Sequence, residues 1–419
     1  MKHSNSSRQR RSYATRIPLS AGAAALTLAT GLALPPAATA QTAGQSDLQQ
    51  LVEKLSKQVQ ELQSEVKDLK SQSAATAPTG GDTAAAHEHF PDLQFHGFMD
   101  VTYTDGNLVG NKNAFALGEM DLFVTSRLTD DLSMMAETVV AAGGDNEFTP
   151  EIERVLLQYK PSDYFNIDVG RYHTSLGFYS TAYHHGTYLQ TATGRPGAIN
   201  FEDSGGIFPI HNTGISINGA IPSGKLGLHY IVEVGNGRPY NQGANSPVLN
   251  VSDNNEYKAV NLGLSARPEW APGLQFGVSA YHDTLTPDPI PRTDQQLYTA
   301  HVVYQTPDFE FLNEVFLLRD HTRGTRDATT PFAYTQLSKR FDKIRPYVRF
   351  QYLNVSKNDQ PVNTDLINDG FPTGLQYGPS FGVRYDFTTL ACVKLQYDYF
   401  VEKVMRDVSQ VTLQLSYTF

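Results

Sequence analysis

The chain has 419 residues, a formal net charge of -10, and one cysteine and one tryptophan against 22 tyrosines and 22 phenylalanines. An acidic chain of this length is neither a disulfide-stabilised miniprotein nor a general nucleic-acid binder, so we expect no nucleic-acid partner. Because Cys392 is the single cysteine, the sequence excludes an internal disulfide and a cysteine-cluster metal site. Abundant aromatic residues and 33 glycines, with 40% hydrophobic residues, are typical of a fold with many short strands.

The first forty residues have the three parts of a secretory signal peptide. Four arginines between Arg8 and Arg16 precede an apolar stretch from Leu19 to Leu34. Ala38 and Ala40 then form a small-x-small cleavage site. We therefore predict that residues 1–40 are a signal peptide. Its removal deletes five positive charges and changes the net charge from -10 to -15.

Residues 41–72 carry a heptad repeat. Apolar residues occupy only the a and d positions over three heptads: Val52, Val59 and Val66 at a, and Leu48, Leu55, Leu62 and Leu69 at d. Because the other positions are polar, the pattern predicts a short α-helical coiled coil that self-associates, rather than a helix packed on a globular body. Residues 73–92 are rich in Ala, Thr, Pro and Gly, and we interpret them as a flexible linker.

Between residues 93 and 419, segments in which apolar and polar residues alternate with period two recur along the chain. In the last segment, Val411, Leu413 and Leu415 lie on one face, and polar residues lie on the other. We predict sixteen strands, near 93–104, 115–128, 132–141, 151–160, 164–171, 211–221, 225–235, 256–267, 273–283, 295–306, 309–320, 331–341, 345–356, 375–388, 391–401 and 408–419.

The connections between these strands alternate between short and long. Short turns such as 129–131 and 161–163 separate longer polar connections such as 142–150 and 172–210. Transmembrane barrels alternate in this way, with tight turns on the periplasmic side and long loops outside. The pattern therefore predicts an all-β fold: a sixteen-stranded antiparallel transmembrane β-barrel over 93–419, preceded by the coiled coil.

The chain ends in Leu-Ser-Tyr-Thr-Phe, with Phe419 as its last residue. With sixteen predicted strands behind a coiled coil, the sequence resembles the outer-membrane porins, in particular the trimeric phosphate-selective and dicarboxylate-selective groups. The resemblance implies a homotrimer in the outer-membrane lipid of a Gram-negative-type bacterium, with no cofactor and no enzymatic activity. It also implies passive diffusion, a third outer loop folded into the lumen, and Phe419 as the signal read by the barrel assembly machinery.

Two sets of residues are candidates for the pore. The connection 172–210 is the longest, as this third loop requires, and its candidate constriction residues are His173, His184, His185, Arg195, Glu202 and Asp203. Alternation directs a second set inward from the strands as pore wall: Arg349, Arg384, Lys394, Glu119, Asp121 and Glu137. The hypothesis is a basic wall of Arg349, Arg384 and Lys394 that faces the loop acids across the constriction.

The charges of the barrel segment support two opposite ion preferences. Residues 93–419 contain 24 Lys and Arg against 35 Asp and Glu, which favours cations, whereas a local basic wall favours anions. The long loop has no lysine, which departs from the phosphate-selective group. We expect small hydrophilic solutes or ions to pass, with anions such as dicarboxylates as the working hypothesis.

Three alternatives were compared with the pore. His173, His184, His185 and His211 lie in or beside one loop and would suit a zinc or copper site, but no carboxylate or cysteine has ligand spacing, so we predict no metal. Ser175, Ser180 and Ser204 lie near these histidines and would suit a barrel hydrolase, but no Gly-x-Ser-x-Gly turn is present. The coiled coil would also suit a structural protein that tethers the barrel to the cell wall.

Overall fold

A computed structural model of the protein describes residues 92–107, 113–142, 147–183, 186–200, 206–238, 251–253, 255–286, 290–362, 374–403 and 407–419. The predicted signal peptide, the predicted coiled coil and all but the last residue of the predicted linker lie outside these residues. Among the described residues, no helix is long and apolar enough to cross a membrane.

The described residues form sixteen strands. These are β1 (Asp92–Gly106), β2 (Ala114–Arg127), β3 (Leu132–Ala142), β4 (Phe148–Ser162), β5 (Phe165–His173), β6 (His211–Ile221), β7 (Leu228–Gly235), β8 (Ala259–Ala266), β9 (Leu274–Leu285), β10 (Thr293–Gln305), β11 (Phe309–Thr322), β12 (Ala328–Lys339), β13 (Ile344–Asn354), β14 (Leu375–Asp386), β15 (Ala391–Glu402) and β16 (Val408–Thr418). The predicted strand number is therefore confirmed, and the predicted boundaries differ by only a few residues.

The strands form one closed barrel. Each strand pairs in antiparallel fashion with its neighbours in the chain, and β1 pairs with β16 to close the sheet. The predicted alternation of connections is also present: β2 and β3 are joined by four residues, whereas β5 and β6 are separated by residues 174–210. The connections at the barrel end that holds both Asp92 and Thr418 are two to seven residues long, whereas those at the opposite end include the three longest, 174–210, 236–258 and 355–374.

One predicted boundary differs for a clear reason. Strand β7 begins at Leu228 and not near 225, because Gly224–Leu226 form a 3-10 turn. Gly227, which follows this turn, has a φ of 60°, a left-handed conformation that glycine adopts at little cost. The chain therefore enters the strand three residues later than alternation alone predicts.

Phe419 lies at the seam where the barrel closes. Its backbone N–H donates to the Gly97 carbonyl oxygen and its carbonyl oxygen accepts from the Gly97 N–H, both at 3.1 Å. The Phe419 ring covers Gly97 so closely that a Cβ atom at this position would overlap the ring. The last residue of the chain thus extends the β1–β16 pairing beyond the end of β16.

The polarity of the inward-facing side chains changes around the barrel. On β16, Val411, Leu413 and Leu415 point outward and are 40–42% exposed, whereas the alternate polar residues are buried. On β9 to β13, however, many inward-facing residues are also apolar, including Leu297, Leu312, Phe316, Phe332 and Leu353. An apolar core therefore lies inside the barrel, against this one half of the wall, and the β5–β6 loop forms its other side.

Candidate constriction inside the barrel

The β5–β6 loop, residues 174–210, runs down the inside of the barrel. It starts at the end with the long connections, where the Thr174 N–H donates to the Ile210 carbonyl oxygen at 2.6 Å and so closes the neck of the loop. Farther along, the Tyr188 hydroxyl donates at 2.6 Å to the carbonyl oxygen of Thr389, which lies in the short β14–β15 turn at the opposite end. The loop therefore extends through the height of the lumen.

Glu314 of β11 holds the first turn of this loop. Its carboxylate accepts the backbone N–H groups of Phe178 at 2.5 Å and Tyr179 at 2.9 Å, and it also accepts the hydroxyl of Tyr334. These contacts lie at the start of a one-turn helix, α1 (Tyr179–Ala182), whose first N–H groups have no partner within the helix. A carboxylate supplies acceptors only, so its chemistry matches this set of three donors.

Glu310 lies four residues before Glu314 on the same inward face, and it binds two further points of the loop. Its Oε2 accepts the hydroxyls of Tyr183 and Thr191, each at 3.1 Å. Its Oε1 accepts the Gln336 amide of β12 at 2.6 Å. The two glutamates of β11 thus bind the loop at both sides of α1.

Three cations of β13, β14 and β15 bind the next part of the loop through its backbone carbonyls. Lys394 donates to the carbonyl oxygens of Thr187 and Ala192. Arg384 donates to those of Tyr188 at 2.6 Å and Gln190 at 3.0 Å. The positive charges are therefore directed at the loop backbone.

Arg349 completes this row of cations. Its NH1 group donates to the Gly194 carbonyl oxygen at 2.8 Å, and its Nε donates to the Gln336 side chain at 2.7 Å. Arg349, Arg384 and Lys394 are 1%, 7% and 0% exposed, so the loop covers all three. The sequence predicted that these three residues lie together on the wall opposite the loop. In the structure they also lie together there, but their donors bind the loop itself instead of facing open lumen.

Two loop tyrosines are enclosed by these anchors. Burial raises the pKa of Tyr179, with the guanidinium of Arg349 acting in the opposite direction. Burial also raises the pKa of Tyr183 well above its ordinary value of 10, and the nearby Glu310 carboxylate adds to this rise. Both phenols therefore remain neutral hydrogen-bond donors at physiological pH.

Apolar contacts hold the last part of the loop. The Phe208 ring stacks on Phe316 of β11 with 4.9 Å between the ring centroids and an angle of 13° between the planes. Ile199 and Phe208 of this part are fully buried in the cluster, as is Leu176 from the start of the loop. Burial of such side chains stabilises a fold by about 1.5–3 kcal/mol each, so the loop is a packed part of the barrel interior.

The other predicted constriction residues have different environments. His173 is the last residue of β5 and is buried against His211. Arg195 lies on the loop, where its Nε donates to the Ile199 carbonyl oxygen at 2.7 Å and its guanidinium lies 5.5 Å from the Tyr179 ring centroid. The remaining four, His184, His185, Glu202 and Asp203, lie outside the described residues.

The three predicted acidic wall residues lie on β2 and β3. Glu137 is fully buried and forms an ion pair with Arg154 of β4. Asp121 is also buried, at 1% exposed. Glu119 is half-buried and lies at a β-bulge, where the register between β1 and β2 shifts.

The space that the loop leaves open lies on the side of β3 to β10. A cavity of about 200 Å³ includes Arg154, Asp168, Tyr172 and Glu233 in its wall, and a second one of about 240 Å³ lies toward the short turns. Both cavities contact the loop at Ser175 and Thr181. The two cavities also share Asn218 and Ile231 in their walls, so they adjoin each other between the loop and this half of the barrel.

The serines considered for hydrolysis have structural partners. The Ser175 hydroxyl donates to Glu233 at 3.1 Å, and its backbone N–H donates to the same carboxylate at 3.0 Å. The Ser180 hydroxyl accepts a hydrogen bond from Arg195 at 3.4 Å. Ser204 lies outside the described residues. The contacts of Ser175 and Ser180 fix the loop.

Glu310 and Glu314, which bind the loop, and Tyr334, which donates to Glu314, are not among the residues predicted from the sequence. The alternation of side chains places all three on inward faces, so their orientation was predictable from the sequence. Their role was not, because their inward neighbours Leu312 and Phe332 are apolar and hide the polar face. Glu153 was also missed, since it is the extra residue of a β-bulge in β4 and breaks the alternation there.

Comparisons with known proteins bear on the fold. No family model matches the chain, and no curated protein matches it. Among solved structures, it is similar to the anion-selective porin from Comamonas acidovorans, with 10% identity and a TM-score of 0.54, over 78% of this chain and 100% of that one. It is also similar to the outer membrane channel DcaP of Acinetobacter baumannii, with 11% identity and a TM-score of 0.53, over 81% and 100% of the two chains.

A third similar structure is the trimer form of OmpT, an outer membrane protein of Vibrio cholerae. The identity is 11% and the TM-score is 0.52, over 78% of this chain and 99% of that chain. At such low identities these likenesses concern the fold alone, and they agree with the closed sixteen-stranded barrel described above.

Proposed function

We propose that the protein is an outer-membrane diffusion pore whose lumen is narrowed by the β5–β6 loop. One observation carries the proposal: this loop is fixed along one half of the interior of a closed barrel, and two adjoining cavities lie between the loop and the other half. The apolar outward faces, such as that of β16, suit a lipid environment. Two structural neighbours are named as an anion-selective porin and an outer membrane channel.

The proposed solutes are small hydrophilic anions, including short dicarboxylates. The support is the chemistry of the 240 Å³ cavity, whose wall includes Arg267, His229 and His301 together with several hydroxyl groups. Among the described residues that line this cavity, there is no carboxylate. Arg267 is exposed, and its side chain has one hydrogen bond to the described residues, from Nε to Gln275 at 3.0 Å, so the guanidinium offers further donors to a passing anion.

In this proposal the constriction acts by position and charge. The buried cations Arg349, Arg384 and Lys394 fix the loop, and the loop sets the width of the passage. Arg267 then sets the sign of the preferred ion by its positive charge at the wall of the passage. Diffusion is passive, since a pore with these parts has no energy input.

The remaining parts of the proposal concern export and assembly. Residues 1–40 act as a cleaved signal peptide, and the coiled coil of 41–72 lies in the periplasm, where both barrel termini meet. We expect a homotrimer, which agrees with the trimer form of one structural neighbour. Phe419 is the residue that the barrel assembly machinery recognises, and cell-wall tethering through the coiled coil is a secondary role.

The test of the ion preference is the reversal potential across a planar bilayer in a salt gradient. We expect stepwise conductance with a potential that favours anions, and a shift toward cations in Arg267→Gln. Arg323→Gln is the matched control, because it removes the same charge from an exposed outer connection. Cation preference in the unmodified protein would refute the anion pore, and an absence of any conductance would refute the pore.

A further inference from the structure

Glu153, His173 and His211 converge at the neck of the β5–β6 loop. His173 ends β5 and His211 begins β6, and the two residues are direct partners in the sheet. Their rings lie 4.8 Å apart between centroids at an angle of 71°. Glu153 reaches them from β4, where the register shifts between Glu137 and Thr138 and leaves Glu153 as the extra residue of a bulge.

The three side chains offer donor atoms at metal-binding separations. One ligand atom from each lies within 4.8 Å of the other two, and the His211 Nε2 lies 2.6 Å from the Glu153 Oε2. A tetrahedral zinc ion holds its ligands about 3.4 Å apart, given metal–ligand bonds of about 2.0–2.1 Å. Small side-chain rotations therefore suffice to bring all three atoms onto one ion.

The surroundings of the three residues also suit an ion. They are only 2–7% exposed, so bound metal would be shielded from bulk water. His173 lines the 200 Å³ cavity of the lumen, which provides an entry path and room for a water molecule as the fourth ligand. Two imidazoles and a carboxylate match borderline transition-metal ions, whereas Mg²⁺ and Ca²⁺ prefer oxygen ligands only.

Arg171 is the competing partner of Glu153. Its Nε donates to the Glu153 carbonyl oxygen at 2.8 Å, and its NH2 group lies 3.8 Å from the Glu153 Oε2. The shorter contact is to the backbone, so the guanidinium is fixed beside the carboxylate and does not enclose it. The alternative to a metal site is thus an ion-pair network of Arg171, Glu153 and a protonated His211.

We propose that Glu153, His173 and His211 form a binding site for one divalent transition-metal ion, with Zn²⁺ as the first choice. The bound ion joins β4, β5 and β6 at the point where the loop leaves and re-enters the barrel wall. It therefore fastens the neck of the constriction loop.

Calorimetric titration of the full mature chain, produced without a histidine tag and freed of metal, tests the site. We expect one Zn²⁺ per chain and no response to Mg²⁺ or Ca²⁺. Loss of one ligand weakens zinc binding at least tenfold, so His173→Gln, His211→Gln and Glu153→Gln each lower the affinity by this factor or more.

Two controls separate this site from other histidines. His229→Gln removes an exposed lumen histidine, and a combined variant replaces His87, His89, His184 and His185 with glutamine. Both are expected to bind zinc as the unmodified protein does. Zinc binding that survives in His173→Gln and His211→Gln, or that is lost in the combined variant, overturns the proposal.

X-ray absorption at the zinc edge tests the site in the unmodified protein. Because it needs no variant, a folding defect cannot affect the result. The expected first shell contains two imidazole nitrogens and carboxylate or water oxygens at about 2.0–2.2 Å. A shell of oxygens alone overturns the proposal, as does an absence of zinc binding. Neither measurement depends on conductance, so a failure of the metal site and a failure of the pore are distinguishable.

Discussion

At the scale of single residues, Glu314 provides the anchor that a neutral side chain cannot replace. It receives two backbone N–H groups, of Phe178 and Tyr179, and the hydroxyl of Tyr334. All of these groups are buried, so each donor left without an acceptor costs about 1–3 kcal/mol. The position of α1 in the lumen therefore depends on one carboxylate.

We expect Glu314→Gln to loosen the loop and widen the passage. The amide replaces one acceptor with a donor, which then faces a loop N–H group. Single-channel recordings should give a larger and noisier conductance, whereas Glu269→Gln, in an exposed turn, should leave the conductance unchanged. An unchanged conductance in Glu314→Gln would show that this anchor does not control the pore width.

Tyr183 gives the loop a measurable dependence on alkaline pH. Because burial raises its pKa well above 10, the folded protein keeps the phenol neutral while the unfolded chain ionises. Its contribution to stability is complete below about pH 10 and is lost as the pH rises above this value toward the raised pKa. Between pH 9 and pH 11, Tyr183→Phe should therefore lose less thermal stability than the unmodified protein.

The measurement is the change in the midpoint of thermal unfolding from pH 9 to pH 11, in the variant and in the unmodified protein. The difference between these two changes removes the contributions of the other tyrosines, which both proteins share. Tyr304→Phe controls for the loss of a hydroxyl at an exposed position. Equal losses in the Tyr183 variant and the unmodified protein would mean that this phenol is not held neutral by the fold.

At the scale of elements, the strands and the insertion of the loop into the lumen were predicted, whereas the part of the wall against which the loop packs was not. Alternation on β16 and β14 and the placement of short turns predicted the strand number, because one face of each strand is apolar over its length. On β11 and β12 both faces carry apolar residues, for example the inward Phe316 and the outward Leu317. Only the folded loop explains the inward ones, and sequence alone does not specify where a loop of this length packs.

Gly177 shows how tightly the start of the loop fits. Its φ is 71°, and a Cβ at this position would overlap Glu314 Oε2 and contact the Phe316 ring. Gly177→Ala should therefore displace α1 and increase the conductance, with a loss of thermal stability. Gly194→Ala is the matched control in the same loop, because no atom lies within 4 Å of its added Cβ. Equal effects of the two substitutions would contradict this account of the loop.

At the scale of the whole molecule, the chain consists of an N-terminal segment with a heptad repeat and a closed barrel with a loop fixed to one half of its wall. Composition, alternation and connection length predicted the barrel, whereas the sites depend on residues far apart in the chain. Glu314 and Tyr179, for instance, are 135 residues apart. Such pairings follow from the strand register and from loop packing, which a local sequence pattern does not contain.

Deletion of 41–72 tests the heptad segment separately from the pore. We expect the mature protein without it to keep its conductance per channel, since the barrel and its loop are intact. Trimers should become less stable to heating in detergent, as judged by unheated gel electrophoresis. If both trimer stability and the integrity of the cell envelope are unaffected, the roles of this segment in association and in tethering are both excluded.

The most direct test of the central claim is the swelling of liposomes that contain the purified protein, measured with neutral sugars of increasing size. The account predicts swelling with small sugars and a size limit that rises in Glu314→Gln. Neutral sugars report the width of the passage without the influence of charge. No swelling with any sugar, or a size limit that is the same in both proteins, would contradict a pore narrowed by the β5–β6 loop.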